Sequence, residues 1–297
     1  MKRSGRVLLA AASAALLASA CTTLDPVMRP NRFAVAPSHF SHEAFDRVLR
    51  EFVGANGLVD YAGLARRPFD LESYVGAVAG YSPDSHPALF PTREDRLAYW
   101  INAYNAVTIW IVLAHHPVGS VMDVVSPWAT PLLPRGAGFF FGHRFPVGGD
   151  PTNLLALEHR VVRKRFVDAR YHFALNCASL GCPALPAEAF DPRRLDSQLA
   201  RETDAFLSEP RNLRIDPAAR TVRVSRILDD FADDFHAWQE ARGAEPHLLA
   251  FVADHLADPD AADAVRRADA AGFAVEALPY DWRLNDRGLG PRPALSP

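Results

Sequence analysis

A histidine and two cysteines stand at regular spacing in one short stretch of this sequence. Four residues separate His172 from Cys177, and four more separate Cys177 from Cys182. An imidazolium beside a thiol lowers the pKa of the thiol, so these residue types together can supply a thiolate nucleophile. The stretch therefore predicts nucleophilic chemistry of the kind used in acyl transfer.

The segment that carries these residues determines which thiol is better placed. Residues 170–177 predict a buried strand, whose period of two puts His172 and Cys177 on opposite faces. The run Ala178-Ser179-Leu180-Gly181-Cys182-Pro183 then predicts a sharp turn, because glycine and proline punctuate it. A turn returns Cys182 toward the strand, so Cys182 is the favoured nucleophile and His172 its base.

Other roles for the two cysteines remain open at this point. In an oxidising compartment, Cys177 and Cys182 can form a disulfide or remain inert structural thiols. A redox or metal role is a further alternative, but the spacing matches no standard zinc site and no second pair of ligands completes it. We expect no metal and no other cofactor, and the sequence contains no GxSxG elbow, P-loop or GxGxxG fingerprint.

A carboxylate stands on an apolar helical stripe in the predicted helix 152–166. Glu158 has leucines three and four residues before it and valines three and four residues after it. A carboxylate in such a place either meets a cation, here His159 or Arg163, or takes a raised pKa. Glu158 is thus either a structural brace or a group that orients, or exchanges a proton with, a catalytic histidine.

The predicted helix 93–114 must lie in the core, because its residues 97–114 are apolar on every side. Two asparagines, two tyrosines and a threonine within those eighteen residues argue against a membrane span. Asn102 and Asn105 are three residues apart and share one face of the helix. A buried amide without partners costs about 1–3 kcal/mol, so both side chains either brace neighbouring loops or orient a catalytic group.

The N-terminus predicts export and a lipid anchor. A basic stretch, then fourteen apolar residues too short to span about 30 Å of hydrocarbon, form a signal peptide over residues 1–20. The sequence Leu17-Ala18-Ser19-Ala20-Cys21 resembles a bacterial lipoprotein box, which predicts lipidation of Cys21 and a periplasmic location, on the outer membrane by analogy. The alternative is ordinary cleavage that leaves Cys21 as a free thiol. Residues 21–42, with three prolines, predict a flexible tether.

Composition indicates one soluble domain rather than a disordered or nucleic-acid-binding chain. Hydrophobic residues make up 49% and charged residues 23%. Without residues 1–20, which hold three basic residues and no acidic one, 29 basic and 35 acidic residues remain, a net charge of −6. An acidic surface of this kind disfavours nucleic acid as a partner. The partners we expect are the membrane, through the anchor, and a peptide or cell-wall substrate.

The element pattern predicts an α+β domain over residues 43–286, followed by a loose tail at 287–297. It is a single domain built around a buried central helix with a small antiparallel sheet. The further predicted helices are 43–54, 68–80, 192–207, 226–241 and 245–256. A strand pair around 211–225 and a final segment around 272–284 complete the prediction.

Six sequence blocks, in order, resemble the domain of unknown function 547 family, which occurs in bacterial exported proteins and at the C-termini of some plant coiled-coil proteins. The blocks are Val59-Asp60-Tyr61, Tyr99-Trp100-Ile101-Asn102-Ala103-Tyr104-Asn105-Ala106, Leu157-Glu158-His159, the run from His172 to Pro183, Asp234-Phe235, and Tyr280-Asp281-Trp282-Arg283-Leu284-Asn285. The resemblance covers roughly residues 43–286. Gly181 stands where many members have serine, so a catalytic hydroxyl at that position is excluded here.

More distantly, a core helix followed by a strand that opens with histidine resembles the papain-like and transglutaminase-like architecture. That resemblance implies His172 as the catalytic histidine and Asp281 as its acid. The cysteine of that architecture is missing from the start of the core helix, where Glu94 and Asp95 stand. Three possibilities follow, namely a nucleophile moved to Cys182, a carboxylate such as Glu158 in its place, or no catalysis.

We therefore expect a hydrolase or acyl-transferase acting on peptide or cell-envelope amide bonds. The rival hypothesis is a non-catalytic envelope binding or scaffold module with a structural Cys177–Cys182 disulfide. The candidate residues are Cys182, His172, Glu158 and Asp281 for catalysis, Asn102, Asn105, His159 and Cys177 for binding, and Cys21 for lipidation.

Overall fold

The computed structural model describes residues 22–23, 35–36, 39–125 and 135–290. The predicted signal peptide, Cys21 and the last seven residues of the predicted tail lie outside the described residues. The folded part includes the end of the predicted tether, because Phe40 is buried in the core. At the other end, Arg287–Leu289 forms a 3-10 turn rather than the start of a loose tail.

Helices dominate the described chain, and the α+β class predicted from the sequence is confirmed. The α-helices are Glu43–Phe52, Tyr61–Arg66, Phe69–Gly80, Arg93–His115, Ala137–Phe140, Leu154–Ala156, Arg163–Arg165, Leu195–Leu207, Arg226–Asp230, Ala232–Glu240, Leu248–Asp254 and Pro259–Ala270. Each predicted helix is present, with its ends moved by a few residues, although the predicted helix 226–241 is divided at Phe231. Three helices were missed, Tyr61–Arg66, Ala137–Phe140 and Pro259–Ala270, although the last begins with an Asp258 cap and a proline in its first turn.

The strands form small separate sheets instead of the single antiparallel sheet that was predicted. The first sheet pairs Thr22–Thr23 in parallel with His143–Val147, which pairs antiparallel with Asp150–Thr152. A two-stranded sheet joins Val35–Ala36 to His39–Phe40. In the third sheet the predicted hairpin, Leu213–Asp216 with Thr221–Val224, gains Ala274–Ala277 as a parallel edge strand.

The helix Arg93–His115, called the central helix below, lies at the centre of the larger hydrophobic cluster. A capping box starts it, since Thr92 and Asp95 each accept a backbone N–H of the other. By length and hydropathy it is the one described helix that could cross a membrane, but 83% of the relevant window is buried inside the protein. It is a core helix, as predicted.

The described residues form two hydrophobic clusters, and the segment carrying His172 lies between them. Tyr171 packs in the cluster around the central helix, and Phe173 packs in the cluster formed by the C-terminal helices. The predicted strand at 170–177 is wrong, because Ala169–Phe173 is a 3-10 helix capped by Asp168. Tyr171 and Phe173 are two residues apart and would share one face of a strand, whereas the 3-10 helix directs them into different clusters.

Residues 279–286 close over the loop that carries the cysteines. They form isolated bridges with three distant segments, at Val59, Ser120 and Ser179. The buried Asn285 side chain accepts a hydrogen bond from the Tyr61 hydroxyl at 2.8 Å. The two ends of the folded chain are therefore joined directly beside the candidate site.

Candidate functional site

A cleft of about 520 Å³ opens where the two hydrophobic clusters meet. Its walls combine titratable side chains, aromatic rings and both cysteines. The lining residues are Tyr104, Phe140, Glu158, His172, Leu175, Cys177, Cys182, Arg226, Ile227, Asp230, Phe231, Tyr280 and Trp282. Four of the residues proposed from the sequence are thus brought together, namely Glu158, His172, Cys177 and Cys182.

His172 is held in one orientation by a carboxylate and by aromatic packing. Its Nε2 lies 2.8 Å from Oδ2 of Asp234, and its ring stacks on Phe231 with centroids 4.3 Å apart. Only 2% of its side chain is exposed. Burial lowers the pKa of His172, and the hydrogen bond to Asp234 offsets this only in part. The histidine is therefore neutral at neutral pH, with the proton on Nε2 and the lone pair on Nδ1.

Asp234 is in turn clamped by a guanidinium and a phenol. The Arg163 Nε donates to Oδ2 at 2.6 Å and its Nη2 donates to Oδ1 at 3.1 Å, while the Tyr171 hydroxyl donates to Oδ2 at 3.3 Å. Burial alone would raise the pKa of Asp234, but the hydrogen bonds from His172 and Arg163 bring it far below its ordinary value of 3.8. Asp234 remains ionised and fixes the tautomer of His172.

Glu158 lines the same cleft, and its pKa is shifted upward, whereas the pKa of Asp234 is shifted downward. Burial raises its pKa above the ordinary 4.5, although a hydrogen bond from the Tyr104 hydroxyl, at 3.3 Å from Oε2, and the charge of Arg163 oppose this. Asp234 adds to the rise, because a second nearby negative charge disfavours ionisation. A carboxyl that keeps its proton to higher pH can act as a proton donor.

A π-helical segment positions both Glu158 and Arg163. Residues 154–165 form one helix in which Leu157–Val162 is π-helical, and the Arg163 N–H bonds to the Glu158 carbonyl five residues earlier. In an α-helix, residues five apart point about 140° away from each other. The wider π turn brings them nearly above one another. One helix therefore supplies an acid to the cleft and a cation to Asp234.

The structure joins Cys177 and Cys182 in a disulfide with Cα atoms 6.1 Å apart. Cys182 then has no thiol to ionise, so the nucleophile favoured from the sequence is absent from the oxidised protein. The loop between them passes close to the closing segment, because a Cβ on Gly181 would lie 2.8 Å from the Tyr280 ring. A serine side chain at this position would collide with Tyr280.

The two predicted asparagines do not line the cleft and act as braces. The Asn102 side chain donates to the Phe190 carbonyl at 2.8 Å and accepts the Phe190 N–H at 3.0 Å. Asn105 donates to the Ala174 carbonyl at 2.9 Å and accepts the Asn176 N–H at 2.8 Å. Each amide thus has a partner for its nitrogen and for its oxygen. Asn105 thereby holds the loop between His172 and the cysteines against the central helix.

His159 and Asp281 lie outside the cleft. The His159 Nδ1 accepts a hydrogen bond from Arg163 Nη1 at 2.7 Å. This bond helps to hold the Arg163 guanidinium in contact with Asp234. Asp281 pairs with Arg283 in a separate shallow depression beside Trp282. The carboxylate in contact with His172 is Asp234, not Glu158 or Asp281 as the sequence suggested.

Sequence reasoning did not identify Asp234, Tyr104, Phe231 and Tyr280 as parts of the site. Asp234 is 62 residues from His172 in the chain, so spacing alone could not pair them. The signal available was membership in the resemblance blocks, since Tyr104, Asp234 and Tyr280 all belong to them. Among the described residues, no group of three or more histidine, cysteine, aspartate or glutamate side chains is arranged to hold a metal ion.

The central part of the chain is similar to one known protein family. Residues 89–207 are similar to the DUF547 family, described as proteins of unknown function. The match contains the central helix, the π-helical segment, His172 and the disulfide loop, whereas Asp234 and the closing segment 279–286 lie beyond it. No curated protein and no solved structure matches the chain.

Proposed function

We propose that this protein is a hydrolase that cleaves amide bonds in peptides or in the cell envelope, with His172 as general base. The observation that carries the proposal is the 2.8 Å contact between His172 Nε2 and the ionised Asp234 in the wall of a cleft that also holds Glu158. An aspartate that orients a histidine, with a second acid nearby, is the arrangement acid–base hydrolysis requires.

In the proposed reaction a water molecule replaces the missing thiol as the nucleophile. His172 Nδ1 takes a proton from the water as its oxygen attacks the amide carbonyl, and Asp234 stabilises the imidazolium that forms. The protonated Glu158 then donates its proton to the departing amine nitrogen as the C–N bond breaks. Proton transfer from His172 to the ionised Glu158 restores both groups.

The test is to incubate the full chain with cell-wall muropeptides and synthetic peptides, and to follow new amine and carboxylate termini by mass spectrometry. We expect cleavage by the wild type and its loss in His172→Ala. Binding of a muropeptide without cleavage by the wild type would contradict the proposal.

One observation favours the rival function, a non-catalytic envelope binding module. The disulfide closes one wall of the cleft, and Tyr280 and Trp282 pack together there with centroids 4.4 Å apart. Aromatic rings at a cleft mouth are common in binding sites for apolar and sugar surfaces. In the same experiment this function predicts saturable binding that is unchanged in His172→Ala and reduced in Trp282→Ala.

We also propose that Cys21 carries a lipid that holds the domain at the periplasmic side of a bacterial membrane, with the outer membrane favoured. The support is the sequence Leu17-Ala18-Ser19-Ala20-Cys21 after an apolar stretch. Buried acyl chains contribute about 0.8 kcal/mol for each CH₂ group. Fractionation of cells that express the full chain should find the wild type with membranes and Cys21→Ser in the soluble fraction. A membrane-bound Cys21→Ser variant would contradict lipid anchoring.

A further inference from the structure

The two cysteines of the disulfide in the cleft wall differ in their exposure to solvent. Cys177 is partly exposed and Cys182 is only 4% exposed, and both line the cleft. A dissolved thiol that enters the cleft therefore meets Cys177 more readily than Cys182. Accessibility decides which sulfur of a disulfide an incoming thiolate attacks.

Hydrogen-bond donors converge on the sulfur that would leave. The backbone N–H of Cys177 lies 2.9 Å from Cys182 Sγ, and the Tyr280 hydroxyl lies 3.2 Å from it. The same hydroxyl is 3.2 Å from Cys177 Sγ, and Ser179 Oγ lies 3.1 Å from both Cys177 Sγ and the Tyr280 oxygen. The backbone N–H is therefore the donor that distinguishes Cys182 from Cys177. Donors to a thiolate stabilise it and lower its pKa.

Arg211 lies beside the backbone of Cys182. Arg211 donates to the Leu180 carbonyl at 2.5 Å and to the Cys182 carbonyl at 3.4 Å, and it is also paired with Glu209. The guanidinium contacts the Glu209 carboxylate through both Nε and Nη2. Arg211 therefore holds the backbone of the disulfide loop on the Cys182 side and places a charged pair near that cysteine.

From this arrangement we propose that Cys177–Cys182 is a redox-active pair that exchanges with thiol-containing peptides or small thiols bound in the cleft. The substrate thiolate attacks Cys177 Sγ, the Sγ–Sγ bond breaks, and Cys182 leaves as a thiolate. A second substrate thiolate attacks the substrate sulfur bonded to Cys177 and releases Cys177. Two substrate thiols become one disulfide, and their two protons and two electrons convert Cys177 and Cys182 to thiols. A low-molecular-weight disulfide reverses the steps and restores the pair.

This activity is distinct from amide hydrolysis and is tested without it. The oxidised full chain is mixed with millimolar reduced glutathione, quenched with acid at intervals, alkylated and analysed by peptide mass spectrometry. We expect reduction of the native protein at a rate proportional to glutathione concentration. The trapped mixed disulfide should carry glutathione on Cys177 at least ten times more often than on Cys182.

Two variants show whether the donors to Cys182 matter. Tyr280→Phe removes one donor from the leaving sulfur and should slow reduction roughly three-fold, the effect of raising a thiol pKa by about one unit. In the reduced protein, alkylation of Cys182 should then require a higher pH than in the wild type. Tyr81→Phe makes the same chemical change away from the cleft and should leave both measurements unaltered.

Three outcomes would overturn the proposal. The first is a native disulfide that glutathione reduces only after the protein unfolds, as an inert structural bridge would behave. The second is glutathione found on Cys182 as often as on Cys177. The third is a Tyr280→Phe variant that matches the wild type in both rate and pH dependence while remaining folded by circular dichroism.

Discussion

At the scale of single residues, the cleft holds two titratable groups whose pKa values are shifted toward each other. Burial lowers the pKa of His172 below 6.5 and raises the pKa of Glu158 above 4.5. The proposed reaction needs neutral His172 together with protonated Glu158. Its rate should therefore rise with pH as His172 loses its proton and fall with pH as Glu158 loses its own, which gives a bell-shaped profile.

The first prediction concerns the carboxylate that orients the base. Asp234→Asn keeps the size of the side chain but removes the charge that fixes the His172 tautomer, and should lower kcat by about 10²-fold or more, with a smaller change in KM. Steady-state kinetics on a cleaved peptide measure this. Asp233→Asn alters the exposed neighbouring carboxylate and should remain within about two-fold of the wild type. Equal loss in both variants would argue against a specific role for Asp234.

The second prediction concerns the cost of keeping Glu158 in the cleft. A folded-state pKa above the ordinary 4.5 means that ionisation of Glu158 destabilises the folded protein as the pH rises through that value. Glu158→Gln should therefore raise the melting temperature well above pH 4.5 and have little effect below it. It should also remove the alkaline limb of the rate profile. Thermal unfolding at several pH values tests this, and a stabilisation independent of pH would contradict it.

At the scale of elements, the π-helical segment Leu157–Val162 sets the relation between two functional side chains. Glu158 reaches the cleft and Arg163 reaches Asp234 because five residues complete one turn there. The neighbouring helical turns are ordinary α-helix, so the segment contains one residue more than a regular helix would. Such segments often occur at functional sites, because the extra residue redirects side chains.

The third prediction is that a change in the number of residues in this segment uncouples the site. Insertion of an alanine after Arg160, which is exposed, adds about 100° of helical rotation between Glu158 and Arg163. We expect loss of activity, with the helical circular dichroism signal retained. Arg160→Ala, which keeps the chain length, should remain active. An active insertion variant would show that the number of residues between Glu158 and Arg163 is not what positions Glu158.

At the scale of the whole molecule, the cleft exists because the chain closes on itself. The closing segment 279–286 bridges to Val59, Ser120 and Ser179 and supplies Tyr280 and Trp282 to the cleft wall. Its buried Asn285 accepts from Tyr61 and donates to Asn176 Oδ1 at 3.4 Å, while Asn176 holds the Pro183 carbonyl at 2.7 Å. The disulfide loop is therefore held by amides from distant parts of the sequence.

The fourth prediction concerns how much the closing segment contributes to the stability of the fold. Asn285→Ala leaves the buried Tyr61 hydroxyl without its acceptor and should lower the free energy of unfolding by about 1–3 kcal/mol. Urea denaturation followed by fluorescence gives this value. Asn56→Ala, at an exposed turn, should cost less than about 1 kcal/mol. A similar small loss in both variants would mean that the closing segment is held by packing alone.

The sequence by itself determined most of the helices, the buried central helix, the α+β class and four residues of the cleft, namely Glu158, His172, Cys177 and Cys182. Those properties depend on local periodicity and on side-chain chemistry, as with the apolar surface around Asn105 or the stripe around Glu158. Tertiary structure alone decided that Asp234 meets His172 and that Ala169–Phe173 is a 3-10 helix between two clusters. It also decided that Cys177 and Cys182 are joined. The first two outcomes depend on contacts between segments far apart in the chain, which no local sequence pattern specifies. The disulfide depends on the conformation of the loop between the two cysteines, which the sequence left open.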